Sequence, residues 1–320
     1  EGASQEEVAT TYGQAYDRRT KYLYTAAFIK RHSGLSSNGA GAIFRTDISN
    51  PASPGNPTLW VTIPNVGYTQ TNSARGLPAN ASTSTADATA MSAVGKQGLG
   101  DIDISEDGLT LYVMNMNDKS VYPVNTITGT IGTPLSVPDP GCSKGAWRPF
   151  GLEVYKGVLY VGGVCDGSGS GATTLDLTAQ IFPYNIASGT WGSGLFGGSG
   201  YSLDYDGVAG NDDKGGAYTS TYGAKWNIWV DTWTPEDTYS TVWVYRPMPM
   251  LTDIEFVGDD RIVMAFRDRW SDLGGYDQYN PTGSGTLFRV TSAGDILMAW
   301  KNGASWQLES AGTAGSGYTS

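Results

Sequence analysis

Cys142 and Cys165 are the only cysteines among the 320 residues, and they are either two reduced thiols or one disulfide. A predicted hairpin around Lys156 and Gly157 would bring Cys165 close to Arg148, which follows Cys142 by six residues. We therefore expect the two sulfurs to be joined. In the chain-entropy model, closing a loop of this size stabilises the folded state by about 3 kcal/mol.

Oxygen-bearing side chains crowd a short acidic stretch of the chain and could bind a hard cation. They are Asp204, Asp206, Asn211, Asp212 and Asp213. Carboxylate and amide oxygens of this kind are calcium ligands, but the spacing does not match the EF-hand loop. A solvated acidic loop is the favoured interpretation and a Ca²⁺ site is the alternative. No other cofactor is expected.

Aromatic residues cluster in the same part of the chain and could bind a ligand. Trp226, Trp229, Trp233 and Tyr222 are candidate ligand contacts, because flat rings can meet sugars or a protein partner. Burial of large rings in the core is their more common use, and it is the favoured alternative for most of them.

His32 is the only histidine, which excludes sites built from several histidines. It could be the base of a Ser-His-Asp triad, but no Gly-x-Ser-x-Gly elbow supports one. The basic run of Lys30, Arg31 and His32 is expected to anchor a loop rather than to contact a ligand. We expect Arg267 and Arg269 likewise to hold a loop. The sequence nominates no catalytic residue.

Two short motifs have a simple structural interpretation. Residues 105–108, Ser-Glu-Asp-Gly, invite comparison with the sialidase Asp-box, but the glycine falls one place early and the expected Trp is absent. A polar hairpin turn is favoured there. Asn80 begins an Asn-Ala-Ser sequon, which makes it a candidate glycosylation site on a surface loop.

Apolar and polar residues alternate with period two around short polar turns, which predicts antiparallel hairpins. Four hairpins are recognisable, and their first strands begin near Tyr12, Leu99, Phe150 and Leu251. Each is followed by a third and a fourth apolar stretch. In the last unit we expect residues 286–290 to form the third strand and residues 296–300 the fourth.

Four antiparallel strands repeated as a unit describe a β-propeller blade, so we predict an all-β propeller rather than a sandwich. Four blades are recognisable, and six or seven would also be compatible with the chain. Two long gaps predict insertions near 66–97 and 194–245 within a single domain spanning 1–320. No evident strand remains to close the ring, so we expect an incomplete propeller or a segment of a longer polypeptide.

Composition agrees with this fold and narrows the partners. The chain has 44 glycines, 16% charged residues, 12% aromatic residues and a formal net charge of -11. Such a glycine content disfavours a helical protein, and the aromatic content disfavours disorder. The acidic balance lacks the electrostatic attraction that nucleic acids require, and no apolar run is long enough to cross a bilayer. We expect neither nucleic-acid binding nor membrane insertion.

Several strings resemble the propeller regions of large secreted bacterial surface proteins, which often carry immunoglobulin-like adhesin repeats. They are residues 13–17 with 28–34, 94–101 with 105–108, 147–152, and 249–256 with 266–269. The resemblance covers most of the chain. It implies an extracellular, surface or matrix propeller, and it brings no catalytic residues.

The sequence therefore favours a non-enzymatic extracellular module that acts in adhesion, binding or structural assembly. Its expected partners are a surface polysaccharide, a protein or further copies of itself. The alternative is a glycan-acting hydrolase or lyase with its site in the central channel. A convergent acid pair or arginine cluster on the inner strands would distinguish the two.

Overall fold

The computed structural model describes residues 8–79, 83–205, 209–210, 225–233, 242–283 and 285–309. It is all-β, with 42% strand and 4% helix. The chain divides into two compact units. The first unit comprises residues 1–136, 231–244 and 271–290, and the second comprises residues 137–230, 245–270 and 291–320.

In the part of the chain that the structure describes, twenty-one strands make up most of the regular structure. They are β1 (Thr11–Asp17), β2 (Tyr22–Ala27), β3 (Ala42–Asp47), β4 (Thr58–Thr62), β5 (Leu99–Ile104), β6 (Thr110–Asn115), β7 (Ser120–Asn125), β8 (Leu135–Ser136), β9 (Trp147–Tyr155), β10 (Val158–Cys165), β11 (Thr178–Asn185), β12 (Thr190–Trp191), β13 (Tyr201–Ser202), β14 (Ala209–Gly210), β15 (Trp243–Val244), β16 (Pro249–Phe256), β17 (Arg261–Asp268), β18 (Gln278–Tyr279), β19 (Leu287–Val290), β20 (Ala293–Asn302) and β21 (Ser305–Leu308). Within the same described ranges they are accompanied by one helix, α1 (Arg269–Gly274), and two 3-10 turns (Ala88–Ala90 and Thr174–Asp176). None of the helices in the described part of the chain is long and apolar enough to span a membrane.

The first unit contains two four-stranded antiparallel meanders, β1-β2-β3-β4 and β5-β6-β7-β8. Their apolar faces share one core, in which Tyr24, Ile43, Leu99 and Val113 are almost completely buried. The alternation that predicted the strands places these side chains on one face of each sheet, because successive residues of a strand point to opposite faces. A smaller sheet, β15-β19-β18, completes the unit.

The second unit repeats this plan with the orders β9-β10-β11-β12 and β16-β17-β20-β21. Short strands β13 and β14 add to the edges of β11 and β20. All four meanders have four antiparallel strands that pair in chain order, with β18 and β19 left out of the last one, and propeller blades have this plan. The predicted fold class is therefore confirmed at the level of its blades.

One predicted strand assignment is wrong. Residues 286–290 are not the third strand of the last blade, because β17 pairs instead with β20, in the register Arg261 opposite Trp300. The segment 296–300 thus belongs to the third strand, and β21 is the fourth. The physical reason lies in burial: Leu297 and Ala299 alternate with exposed Ile296, whereas all four residues of β19 are only half-buried.

Each of the four first strands carries an irregularity of register at a corresponding place. The shifts fall at residues 11–14 of β1, 99–102 of β5, 149–151 of β9 and 251–253 of β16. Bulges of this kind bend the strand and strengthen its twist. In the first unit the bulged backbones of β1 and β5 approach so closely that a Cβ on Gly13 would lie 2.8 Å from the carbonyl oxygen of Gly100. In the second unit the backbones of β9 and β16 approach in the same way. A Cβ on Gly151 would lie 3.0 Å from the backbone nitrogen of Asp253.

Candidate functional site

A cleft of about 320 Å³ lies in the second unit, where the turns of three hairpins meet. The β9–β10 turn is formed by Lys156 (φ 50°) and Gly157 (φ 73°), the left-handed pair that a tight two-residue hairpin requires. The β16–β17 and β20–β21 turns contain Gly258 and Gly303, which also have positive φ. The strand ends beside these turns supply the aromatic residues of the cleft.

Four half-buried rings line the cleft and contact one another. Phe256, at the end of β16, is the central ring. Tyr155 stacks on it with centroids 4.5 Å apart and an interplanar angle of 4°, and Tyr160 meets it at 4.5 Å and 48°. Trp306 of β21 stands edge-on at 6.2 Å. Val158, Pro183 and Leu195 add apolar surface. The volume falls within the range of small-molecule sites.

Charged side chains form one rim of the same cleft. Asp259 Oδ1 accepts hydrogen bonds from the hydroxyl of Tyr155, at 2.7 Å, and from the ammonium of Lys156. The bond from Lys156, and then that from Tyr155, lowers the pKa of Asp259, with a further contribution from the charge of Lys301. Asp259 is therefore an anion held in place at neutral pH. Apolar ring faces beside fixed charges suit a ligand with both apolar and hydroxylated surfaces.

None of these cleft residues was nominated by the sequence. Tyr155 and Tyr160 belong to one hairpin, but Phe256 and Trp306 are far from them in the chain, and only the topology of the second unit brings these rings together. One signal was present: Tyr155 directly precedes the predicted turn at Lys156 and Gly157, and Phe256 closely precedes Gly258. Aromatic residues at strand ends beside tight turns lie where the chain reaches the surface.

The aromatic residues that the sequence did nominate have different environments. Trp226 and Trp229 are 0% and 2% exposed. Trp226 Nε1 donates to the hydroxyl of Tyr205 at 3.1 Å, and Trp229 Nε1 donates to the carbonyl of Pro249 at 2.8 Å. Both rings therefore pack in the core, which was the alternative to ligand contact in the sequence analysis, and neither lies on the surface.

Trp233, in the first unit, is half-buried against Phe288, with ring centroids 5.3 Å apart. The guanidinium of Arg31 lies 5.7 Å from its centroid. Tyr222, the fourth nominated residue, lies outside the described residues.

The candidate calcium ligands are mostly outside the described residues too. Asp206, Asn211, Asp212 and Asp213 lie there, as does the sequon residue Asn80. Asp204 is described, and its backbone nitrogen donates to the hydroxyl of Ser202. Within the described ranges no three His, Cys, Asp or Glu side chains are placed to share a metal ion. Calcium binding remains a prediction.

The disulfide between Cys142 and Cys165 is confirmed, with an S–S distance of 2.04 Å. It ties the end of β10 to the segment that precedes β9. Buried Asp166 reinforces the same junction, because its carboxylate accepts bonds from the backbone nitrogen of Ala146 and from Nε of Arg148. Burial alone would raise the pKa of Asp166, but these bonds and the charge of Arg148 bring the pKa below its usual value.

A second cleft, of about 380 Å³, lies in the first unit beside the basic run at Lys30 to His32. The buried guanidinium of Arg31 donates to the backbone carbonyls of Ala86, Leu273 and Tyr279. It thus joins the loop at Ala86, helix α1 and strand β18. These bonds fit the hypothesis that the basic run anchors a loop.

The residues next to Arg31 also make contacts within the protein. His32 has φ 66°, and its backbone nitrogen donates to Asp87, which forms a buried ion pair with Arg75. Nδ1 of His32 shares a hydrogen bond with Thr85 Oγ1 at 2.7 Å. The polar groups of this cleft hold the fold together more than they face solvent.

The Ser105 to Gly108 segment is the polar turn between β5 and β6. Ser105 Oγ bonds with Asp107 Oδ1 at 2.6 Å and accepts from the backbone nitrogen of Thr110 at 2.9 Å. The turn hypothesis is correct, since these bonds close the loop on itself.

Arg269, at the start of α1, is 0% exposed and donates to the carbonyl of Val230 at 2.7 Å. This contact with residue 230 agrees with a loop-holding role.

Asp253 and Glu255 form an acidic pair on the first strand β16. Both side chains are exposed, and their spacing of two puts them on the same face of the strand. Partial desolvation raises the pKa of Asp253 and of Glu255, and the charge of Asp253 raises that of Glu255 further.

Together the fold and the cleft define an all-β protein of propeller-type blades with an aromatic surface cleft. No family model matches the chain. It is similar to two Dictyostelium discoideum proteins, Colossin-B, at 26% identity over 97% of this chain and 7% of the relative, and Colossin-C, at 25% identity over 98% and 28%. The chain thus spans only a small part of these curated relatives. They are not bacterial, so the bacterial family suggested by the resemblance is not confirmed.

Among solved structures, the GH43 protein BlXynB from Bacillus licheniformis is similar over 93% of this chain and 42% of that chain. The identity is 10% and the TM-score is 0.40. A likeness of this degree carries no argument about activity.

Proposed function

We propose that the chain is an extracellular binding module whose aromatic cleft takes a glycan. The observation that supports this most directly is the cluster of four half-buried rings, Tyr155, Tyr160, Phe256 and Trp306, beside the fixed carboxylate of Asp259. Large aromatic rings are normally buried in the core. Four rings that remain partly exposed and converge on one cleft therefore indicate a binding surface.

The chemistry of a sugar matches both parts of the cleft. The C–H faces of a pyranose ring are apolar and pack against flat aromatic rings. Its hydroxyls need hydrogen-bond acceptors and donors at the rim, which the carboxylate of Asp259 and the ammonium groups of Lys156 and Lys301 can supply. The bonds that Tyr155 and Lys156 already make to Asp259 reduce the side-chain freedom that these groups lose on binding.

An extracellular location is supported by the disulfide, since such bonds persist in oxidising compartments. The chain also matches only a small part of its longer relatives, so we infer that the cleft serves as one module of a larger surface or matrix protein. A surface polysaccharide is then the natural partner for adhesion.

The test is a glycan array screened with the chain as it stands, followed by titration of the strongest ligands. We expect binding without turnover, and competition among ligands for a single site in the second unit. Retention of proline-rich peptides but of no glycan would contradict the proposal, because such peptides also dock on aromatic grooves.

Glycan hydrolysis is the second candidate function, favoured by Asp253 and Glu255. A glycosidase uses two carboxyl groups, one of which has a raised pKa so that it can donate a proton. Chromogenic glycosides test this candidate. Turnover that D253N and E255Q each abolish would support it, whereas turnover that survives both would place any activity elsewhere.

A further inference from the structure

The charge at the rim indicates which glycans the aromatic cleft would take. Resting on the proposed glycan-binding function, we propose that the ligand is an anionic glycan, whose uronate carboxylate pairs with Lys301. Lys301 is the next residue after the last apolar position of β20, and its backbone nitrogen donates to the carbonyl of Asp260 at 2.8 Å. This bond fixes the base of an exposed side chain that lines the cleft.

The ammonium of Lys301 is the uncommitted charge of the cleft. It makes no hydrogen bond or ion pair with any residue that the structure describes. Asp259, the nearest carboxylate, already binds Lys156 and Tyr155 through Oδ1. Asp260 lies next to it but faces Arg261, at 3.5 Å.

Counting the residues that line the cleft gives two ammonium groups and one carboxylate. The surplus is therefore positive, although the whole chain has a formal net charge of -11. The general field of the protein repels anions, so attraction of one must come from this local surplus. A neutral sugar would leave this positive surplus uncompensated, and a cationic ligand would meet a net repulsion.

A carboxylated sugar satisfies the whole rim at once. Its ring faces would rest on Phe256 and Trp306, its carboxylate would reach Lys301, and its hydroxyls would donate to the carboxylate of Asp259. The pair with Lys301 is solvent-exposed, so its contribution is modest and depends on ionic strength.

The matched probes are a tetragalacturonate and its fully methyl-esterified form, which share a backbone and differ in charge. Calorimetric titration at low ionic strength should show the free acid binding about threefold tighter than the ester, with the difference lost at about 0.5 M salt. K301Q should remove this preference, so that acid and ester bind equally, and K301R should retain it. K21Q, which alters an exposed lysine of the first unit, is the control and should change nothing.

The outcomes separate the two levels of the proposal. Equal binding of acid and ester by the unaltered chain would overturn the anionic preference and leave the glycan site standing. Preference that survives K301Q would also overturn the role of Lys301. Absence of binding by either probe, together with a blank array, would overturn the glycan-binding function itself.

Discussion

The rings of Tyr155 and Phe256 lie face to face with centroids 4.5 Å apart and nearly parallel planes. Tyr155 ends the first strand of one blade and Phe256 ends the first strand of the next blade in the second unit. The hydroxyl of Tyr155 also binds Asp259, which lies in the turn that follows Phe256. Stack and hydrogen bond together join two neighbouring turns, so the cleft is formed before any ligand arrives.

Removing the indole of Trp306 should weaken glycan binding. The ring lines the cleft beside Phe256, and loss of an aromatic anchor residue typically costs more than about 1 kcal/mol of binding free energy. We expect W306A to reduce the association constant at least about tenfold, measured by calorimetry with the best ligand from the array. W191A is the matched control, because Trp191 packs on Tyr184 away from the cleft. Equal losses in both variants would contradict the assignment.

Removing only the hydroxyl of Tyr155 tests the positioning of Asp259. Y155F keeps the stack on Phe256 but frees the carboxylate, which then relies on Lys156 alone. We expect a loss of affinity of about two- to fivefold with little change in the free energy of unfolding, because the lost hydrogen bond is exposed and water can replace it in the folded protein. Y184F, in the same unit, should bind as the unaltered chain does. Unchanged affinity in Y155F would contradict the role of the Tyr155 hydroxyl in positioning Asp259 for the ligand.

A side chain at Gly13 should destabilise the first unit. Its Cβ would lie 2.8 Å from the backbone of β5, and backbone atoms cannot move aside as a flexible side chain can. Overpacking of this kind costs about 1–3 kcal/mol. G13A should therefore unfold at lower urea concentration than G285A, since Gly285 has open space around its Cβ position. Similar midpoints for the two variants would refute the close approach of β1 and β5.

The sequence predicted the first three blades because each alternates cleanly around a turn. It failed in the last blade, where half-buried β19 has the apolar content of a strand but pairs with β15 and β18 rather than with β17. β-propensity predicts that a segment is a strand, whereas packing determines which other strand it pairs with. Nothing in the sequence indicated that α1, β18 and β19 all lie between the paired strands β17 and β20.

The site was less predictable than the fold. Trp226 and Trp229 were conspicuous in the sequence, and both are buried. The cleft instead uses Tyr160 and Trp306, whose local sequences resemble any strand and which become neighbours only through long-range pairing. Residue type alone does not distinguish a ring that packs in the core from one that lines a surface.

Breaking the disulfide should lower the stability of the second unit. Cys142 and Cys165 are separated by 23 residues, and the chain-entropy model gives about 3 kcal/mol for a loop of that length. The double variant C142S/C165S should show this loss in urea unfolding, and the unaltered chain should show a comparable loss under a reductant. The reductant should leave the double variant unchanged. Mass spectrometry without reduction should find no free thiol, and a pair of free thiols would contradict the bond.

His32 should make the stability of the first unit depend on pH. Burial, and then the charges of Arg31 and Arg75, lower its pKa to about 2 from the ordinary 6.5. The folded form therefore keeps a neutral imidazole where the unfolded chain binds a proton. Because the unfolded state binds more protons, stability is complete above about pH 6.5 and falls as the pH is lowered toward 2, by about 1.4 kcal/mol per pH unit.

Urea unfolding at several values between pH 7 and pH 4 measures this slope. Carboxylates contribute slopes of their own, so the comparison is with H32N, which lacks the imidazole and tolerates the left-handed backbone at φ 66°. We expect H32N to be less stable at pH 7 but to lose stability less steeply on acidification. Parallel slopes for the two proteins would mean that the imidazole is protonated in the folded state, and the tight environment formed by Thr85, Asp87 and Arg31 would then have to open to accommodate the charge.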